Sequence, residues 1–494
     1  MKRGDTKRMN KKSIITKGIA VSLAVALLIG GGTFAYLQSE SNNIENKFRT
    51  NQVNVSLEET TGGDYNIIPG TEQKKDPKVT VMATVPAYVY VEVTDATEGL
   101  INYEIAEGWK KLGNFDNIYY REVENSNSEQ EFNVLENNMV SYDSSLENED
   151  MLNENGTLKD GIKLTFKASA VQKEPFNDPI KAYYQSETDV ATEDDLQSAL
   201  ESAEDNATIL VSADIALKKS VTIPTGKKIT LALAGHTITG SISDSVVKVE
   251  ENASLDISDG TILAASGQSG IYNDKGTVTI ENLIVKRDEE CNSNNTYVIV
   301  NHGNMTMNDG VHVEAPHSGS SLVENGYQDG SVEEKPVYLT INGGNYIGGL
   351  NPVKNDDWGI LEINDGYFEC KANKQYCVVN FNDLTINGGT FVSDYRVVWN
   401  GNLNDTYDKG NVDVTGGDFS ATIMYMFFDA RNASLGNNVT TTEKGMMLFS
   451  GGTFRDDNNY NESRDFAGPT KGWKVAEGYT IKNNGDGSCS VVPK

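Results

Sequence analysis

The sequence is poor in the residues that fasten small or metal-dependent folds. Its 494 residues include four cysteines, four histidines and eleven prolines. Cys291, Cys370, Cys377 and Cys489 are too few for a disulfide framework and lack metal-ligand spacing. Cys370 and Cys377 either bridge one coil of chain or stay as two half-buried thiols, since cysteine is commonly buried unbonded. Basic residues are scarce as well: 42 Lys and Arg face 71 Asp and Glu, a net charge of −29. Seven of those bases lie before residue 18, so residues 36–494 hold 35 bases against 70 acids. Such an excess repels nucleic acid and anionic membranes and suits solubility outside a cell or loose binding of cations. No Ser-His-Asp order, phosphate loop or zinc spacing stands out. A chain this long is expected to form two or three domains.

Glycine is what the chain has in quantity, 46 residues. Many fall in one recurring pattern of apolar, polar, apolar, small polar, Gly-Gly or Asp-Gly, and an apolar or aromatic residue two further on. The copies are Leu255–Ile262, Met305–His312, Leu339–Tyr346, Leu361–Phe368, Leu384–Phe391, Val412–Phe419 and Met447–Phe454, with a degenerate copy at Val278–Val285. Their starts lie 22 to 35 residues apart, the period of a stacked repeat. Apolar residues two apart, such as Leu339 and Ile341, point to one side of a strand. Gly260, Gly310, Gly344, Gly366, Gly389, Gly417 and Gly452 then mark a common sharp corner. Ser258, Asn308, Asn342, Asn364, Asn387, Thr415 and Ser450 would form a polar ladder beside it. Tyr346, Phe368, Phe391, Phe419 and Phe454 would stack ring on ring. Ile341, Ile363, Ile386 and Val414 should share one inward column. This is the pattern of a parallel β-helix, whose coils bury their apolar face only against neighbouring coils.

Ahead of the repeats, Thr192 followed by Glu193, Asp194 and Asp195 reads as a capped helix start. Leu196, Ala199, Leu200 and Ala203 give it one apolar stripe, so it should close the end of the stack. Short strands follow from Thr208 to Ile238. Lys474 to Val492 reads as a hairpin around Asn483-Asn484-Gly485-Asp486-Gly487, a cap for the far end. Lys173–Asp189, with Pro175 and Pro179, reads as a linker. Tyr88 to Thr94 and Lys163 to Ala170 alternate as sandwich strands, and the polar stretch between Glu122 and Asp160 reads as loop. Asn51 to Leu57 either pairs within its own sandwich or supplies a strand to a neighbouring subunit.

Residues 1–35 read as a targeting segment: Lys2 to Lys17, an uncharged run Gly18 to Gly32, then Thr33-Phe34-Ala35. Cleavage by a signal peptidase is expected between Ala35 and Tyr36, the rival reading being an uncleaved anchor. Lys494 follows no wall-sorting motif, apolar tail or lipid signal. Gly31–Tyr36, Asn46-Lys47-Phe48, Val53–Leu57, Ile67–Pro77, Pro86–Val93, Trp109–Leu112, Tyr119-Tyr120 and Ile162–Gln172 occur in an order that resembles the TasA and camelysin family of SipW-dependent biofilm-matrix proteins. The resemblance implies a jelly-roll-like β-sandwich, export, and assembly into fibres. It does not carry the metalloprotease activity described for some members. No His-Glu-x-x-His occurs, and no histidine precedes His236. Residues 190–465 resemble pectin-lyase-like right-handed β-helices, which implies a fold and no particular activity.

The expected architecture is therefore all-β. Residues 1–35 form a signal peptide and 36–187 a sandwich. Residues 188–465 form a right-handed parallel β-helix and 466–494 a hairpin cap. The expected role is that of a secreted surface or matrix protein acting through self-assembly or glycan binding, with no cofactor. The rival is a polysaccharide lyase or hydrolase, which needs a base and commonly Ca²⁺ held by carboxylates. Asp356, Asp357, Asp365 and Arg396 are the nearest set for it. His302, His312 and His317 could share one side of a coil, although His312 falls on the aromatic position of the repeat, where packing explains it. The two longest gaps, around Gly319 to Glu334 and Asn432 to Lys444, read as loops where binding could reside or as plain bulges.

Overall fold

The computed structural model describes residues 52–61, 65–147, 149–152, 159, 162–186, 188–240, 245–291, 293, 295–316, 319–327, 336–401, 410–422, 426–429, 447–456 and 473–494. The cleavage site at Ala35 and Tyr36, together with His317 and the Asn432–Lys444 gap, lies outside them. The described residues belong to one compact unit, Asn51–Lys494.

Two sheets carry the repeat region: one of 22 strands and one of nine, parallel except at the terminal hairpin. The chain alternates between them, so each coil is laid one β-spacing beyond the last, a β-solenoid. The inward column is as expected: Ile341 pairs with Ile363, Ile363 with Ile386 and Ile386 with Val414. Ring centroids run 4.8 Å from Tyr346 to Phe368, 4.7 Å to Phe391, 5.0 Å to Phe419 and 5.0 Å to Phe454, all stacked. The corner ladder also forms, with Nδ2 donating to the preceding Oδ1 from Asn342 to Asn308, Asn364 to Asn342 and Asn387 to Asn364. The interior is filled with aliphatic and aromatic side chains from Val190 to Val491.

The glycine corner needs two corrections. Gly344, Gly366, Gly389, Gly417 and Gly452 share a column and a positive φ. Gly310 does not join it. An extra residue between Met307 and His312 aligns His312 with Asn345 and Val313 with Tyr346. His312 is therefore outside the aromatic column, which Val313 enters instead. At the first corner Gly260 is not among the left-handed residues, and Asp259 takes that turn at φ +62. The corner geometry predicts a modest cost for a side chain. At Gly389, with φ +97, an added Cβ would lie 2.9 Å from the Gly366 carbonyl oxygen. Gly389→Ala should lose about 1–2 kcal/mol in urea unfolding.

Both ends are closed. The helix α2, Glu193–Ser202, starts at Thr192, whose side chain accepts from the Asp195 N–H, and it buries Leu196 and Leu200. At the far end the strands Tyr479–Asn483 and Ser488–Pro493 form the expected hairpin. Ser488–Pro493 runs antiparallel to Thr453–Asp456, which ends the parallel stacking.

In the N-terminal part, Val53–Glu58, Lys78–Ala83 and Gln130–Asn133 make one antiparallel sheet. Lys110–Lys111, Ile118–Val123, Ala87–Ala96 and Lys163–Gln172 make another. Val79 and Val81 of the first pack with Val89, Val91 and Val93 of the second. Val53–Glu58 pairs with Lys78–Ala83 of its own chain. The stretch read as loop, Glu122 to Asp160, contains the strands Gln130–Asn133 and Met139–Ser141. Its sparse apolar residues Leu135, Val140 and Tyr142 form a small core that holds them.

The segment read as a linker carries the helix α1, Pro179–Tyr184, capped by Asp178 accepting from the Ile180 and Lys181 N–H groups. Burial of Tyr88 and Tyr90 on the sheet face has the same cause, because α1 packs there through Ala182, Ile180 and Tyr183. Its other side, through Ile180 and Tyr184 together with Phe115, packs on Leu210, Ala232 and Ala234 of the first coils. The Tyr184 hydroxyl donates to the Asp259 carboxylate at 2.9 Å.

Candidate functional site

Six strands of the nine-stranded sheet carry a shorter signal, apolar-x-Asn. It occurs at Ile271–Asn273, Ile299–Asn301, Val323–Asn325, Val353–Asn355, within Tyr376–Asn380 and within Arg396–Asn400. The apolar residue and the asparagine point inward. Asn273, Asn301, Asn325, Asn355, Asn380 and Asn400 are all fully buried. Each of the first five donates from Nδ2 to the next Oδ1 at 2.7–2.8 Å, a second ladder that the sequence reading missed, and Asn400 ends it by donating to the Gly410 carbonyl. The residue between them faces out. In register these are Tyr272, Val300, Glu324, Lys354, Val379 and Trp399.

That outer column and its flanks gather groups that the solenoid does not need. Glu324 is 4 % exposed. His302, one coil earlier, puts Nε2 4.0 Å from the Glu324 carboxylate. Its Nδ1 lies 3.1 Å from the Tyr272 hydroxyl, and its ring lies 4.7 Å from Tyr327. Tyr297 hydrogen-bonds Glu324 on one side and accepts from the Lys354 ammonium at 3.4 Å on the other. Lys354 is ion-paired with Asp356. Burial, with the neighbouring Asp356 charge, pushes the Glu324 carboxyl up to about 8, so it carries a proton at neutral pH. Burial pushes His302 down to about 4, so it is neutral there.

Beyond Lys354 the face becomes aromatic. Phe381 lies edge-on to Trp399 at 5.1 Å, and Tyr376 stands 6.3 Å from Trp399 and 5.6 Å from Tyr395. The Arg396 guanidinium covers the Tyr395 ring at 4.9 Å. Tyr376, Tyr395 and Trp399 are half-exposed. From Tyr272 to Trp399 the column crosses five strand spacings, about 24 Å at roughly 4.8 Å each.

The set drawn from sequence for a lyase is not assembled. Asp356 belongs to the buried ionic chain, and Asp357 forms an isolated bridge with Tyr327. Asp365 sits at a corner of the 22-stranded sheet, its carboxylate accepting from the Gly366 N–H. Arg396 opens its strand while the coil position of Asp356 lies beyond the end, five residues or about 16 Å along the strand direction. The histidines separate too. His302 lies beside the nine-stranded sheet, and His312 lies on the other, paired with Glu314 at 3.1 Å. Cys370 and Cys377 are free and buried, so the bridged alternative does not form. Among the described residues no group of three or more His, Cys, Asp or Glu could hold a metal ion. Gly319 to Glu334 is not simply a loop, since it contains the strand Val323–Asn325 and hence Glu324.

No protein-family model matches the chain. No curated protein matches it. Among solved structures it is similar to the catalytic domain of a GH87 alpha-1,3-glucanase variant in complex with tetrasaccharides. The identity is 9%, the TM-score 0.28, and the likeness covers 86% of this chain and 98% of that one. A likeness at that TM-score carries no argument about site or activity.

Proposed function

We propose that the protein is exported from a bacterial cell and acts at the surface or in the matrix as a rigid β-helical rod that binds a neutral polysaccharide. The observation that carries this reading is the row of half-exposed rings, Tyr376, Tyr395 and Trp399, on the outer face of the nine-stranded sheet. A ring presents a negative face, which attracts the weakly positive C–H face of a sugar. Polar groups stand next to it in the Arg396 guanidinium over the Tyr395 ring and the Lys354 ammonium over the Phe381 ring. A net charge of −29 disfavours polyuronates and nucleic acid.

Export rests on the basic, apolar and small-residue order of residues 1–35. The matrix assignment rests on the N-terminal resemblance to the TasA and camelysin family, together with the antiparallel sheets found there. A right-handed coil and a jelly-roll-like sandwich belong to the same reading, since parallel crossovers are right-handed in nearly all sheets. Self-assembly remains the companion activity, with the filled interior giving a stiff subunit.

The test is retention of the full chain on insoluble neutral glucans and xylans. Trp399→Ala should weaken binding about tenfold, the value of one ring stack. A chain that is retained by none of these glycans would remove the reading. Fibre formation is read separately by pelleting at high concentration. A hydrolase reading is favoured by one feature, a protonated Glu324 close to Asp356. New reducing ends that disappear in Glu324→Gln would establish it.

A further inference from the structure

Three ionisable side chains meet out of water on the outer face of the nine-stranded sheet. Lys354 and Asp356 form an ion pair in which the two side chains are 14 % and 5 % exposed. They flank Asn355, the last residue of its strand, whose own side chain is held inward by the ladder. The Asp356 carboxylate thus turns back onto the Lys354 ammonium. Lys354 Nζ lies 5.8 Å from the centre of the Tyr297 ring and 5.5 Å from that of Phe381, which shield it from solvent. Glu324 pairs in register with Lys354 from the preceding coil and is buried like the pair itself. The Tyr297 hydroxyl joins the two, since it lies 3.4 Å from Lys354 Nζ and hydrogen-bonds Glu324.

Two charges kept this dry are costly, because their attraction must repay the water that each has lost. A neutral amide in the same place removes both charges. Its formation needs an amine and a carboxylic acid held together, and a group that moves protons between them. Dry surroundings also favour the side of the reaction that releases water. Other pairs such as Lys78–Glu131 and Lys111–Asp116 are open to solvent, which competes for the same groups.

We propose that Lys354 and Asp356 condense to a side-chain amide, with Tyr297 and Glu324 carrying the protons. A proton first moves from the ammonium to the carboxylate, which leaves an amine against a carboxylic acid. Nζ then attacks the Asp356 Cγ, and a C–N bond forms. The nitrogen gives a proton to the Tyr297 oxygen, the Tyr297 proton passes to Glu324, and the Glu324 proton goes to the departing Asp356 hydroxyl. The C–O bond breaks and one water leaves. Tyr297 and Glu324 finish as they began, and nothing is oxidised or reduced. Glu324 has a proton to give at neutral pH because burial, the main cause, holds its carboxyl up at about 8. The amide closes a small ring through Asn355 and fixes the strand end where the ladder crosses it. This inference is independent of glycan binding.

The test is peptide mapping of the full chain by mass. Trypsin should fail to cut after Lys354, and the peptide that spans Lys354 to Asp357 should be lighter by one water. Lys354→Arg should restore the full mass. Glu324→Gln and Tyr297→Phe should each lower the linked fraction in freshly made protein about tenfold or more, with urea unfolding confirming that the variants are folded. A natural chain of full mass at this peptide would overturn the proposal. So would a missing water that persists in Lys354→Arg, which marks a backbone imide at Asp356 instead. An unchanged linked fraction in a folded Glu324→Gln chain counts equally against it. Should that variant fail to fold, Tyr297→Phe decides the point in the same way.

Discussion

Asn355→Leu is expected to destabilise the solenoid by about 4 kcal/mol in urea unfolding, from several buried polar groups left unpaired at roughly 1–3 kcal/mol each. Asn355 is fully buried. Its Oδ1 accepts from Asn325 at 2.8 Å. Its Nδ2 is shared among Asn380 Oδ1 at 2.7 Å, the Gly359 carbonyl at 3.0 Å and the Asp383 carbonyl at 3.0 Å. Leucine fills the same space and answers none of them, and no water replaces the amide in a filled interior. The control is Asn387→Leu in the corner ladder. Asn387 makes a bond of the same kind to Asn364 at 2.8 Å, but it is exposed. Water can replace its partner, so the loss there should stay below about 1 kcal/mol. Equal costs at the two positions would mean that the ladders do not stabilise by satisfying buried groups. Because coils contact only their neighbours, hydrogen exchange should rise first in the coils around Asn355.

Glu324→Gln should change the pH dependence of stability, not merely its level. In the folded chain Glu324 holds its proton up to about 8, against an ordinary 4.5. Its contribution is therefore fully present below 4.5 and is lost as pH rises through 8. His302 works in the opposite sense, since its folded value of about 4 lies below the ordinary 6.5. Its contribution is present above 6.5 and is lost as pH falls through 4. Between 4.5 and 6.5 the folded pair holds one proton on Glu324, and the unfolded pair holds one on histidine. The two slopes cancel there. Above 6.5 only the Glu324 slope remains, worth about 2 kcal/mol by pH 8 at 1.36 kcal/mol per unit. The stability gap between Glu324→Gln and the natural chain should widen by that amount between pH 6.5 and 8. A gap that stays constant over this window would mean Glu324 is already ionised at neutral pH. His302→Asn provides the mirror case, flattening the loss on the acid side.

These two residues illustrate how unevenly the molecule could be read beforehand. The 22-stranded sheet was legible because each copy holds two inward apolar residues and a glycine near the corner, and most add an inward ring, conditions that chance rarely meets together. Even there, one inserted residue before His312 shifted Gly310 and His312 out of their columns, which only strand pairing reveals. The nine-stranded sheet was not legible. Its strands are mostly three residues long, and one apolar residue plus one asparagine is too slight a signal to set a register. Glu324, Tyr272, Lys354 and Trp399 therefore lay scattered through the sequence until the coils were stacked.

The sequence alone determined that the chain would coil. Spaced apolar residues and left-handed glycine corners are local requirements, written residue by residue. It also determined the capped helix before the stack and the hairpin after it. Tertiary structure decided which outward residues become neighbours, because coil lengths of 20 to 30 residues in the nine-stranded sheet bring distant positions to one β-spacing. It decided as well that Glu324 keeps its proton, since burial and neighbouring charge are set by packing and not by residue type.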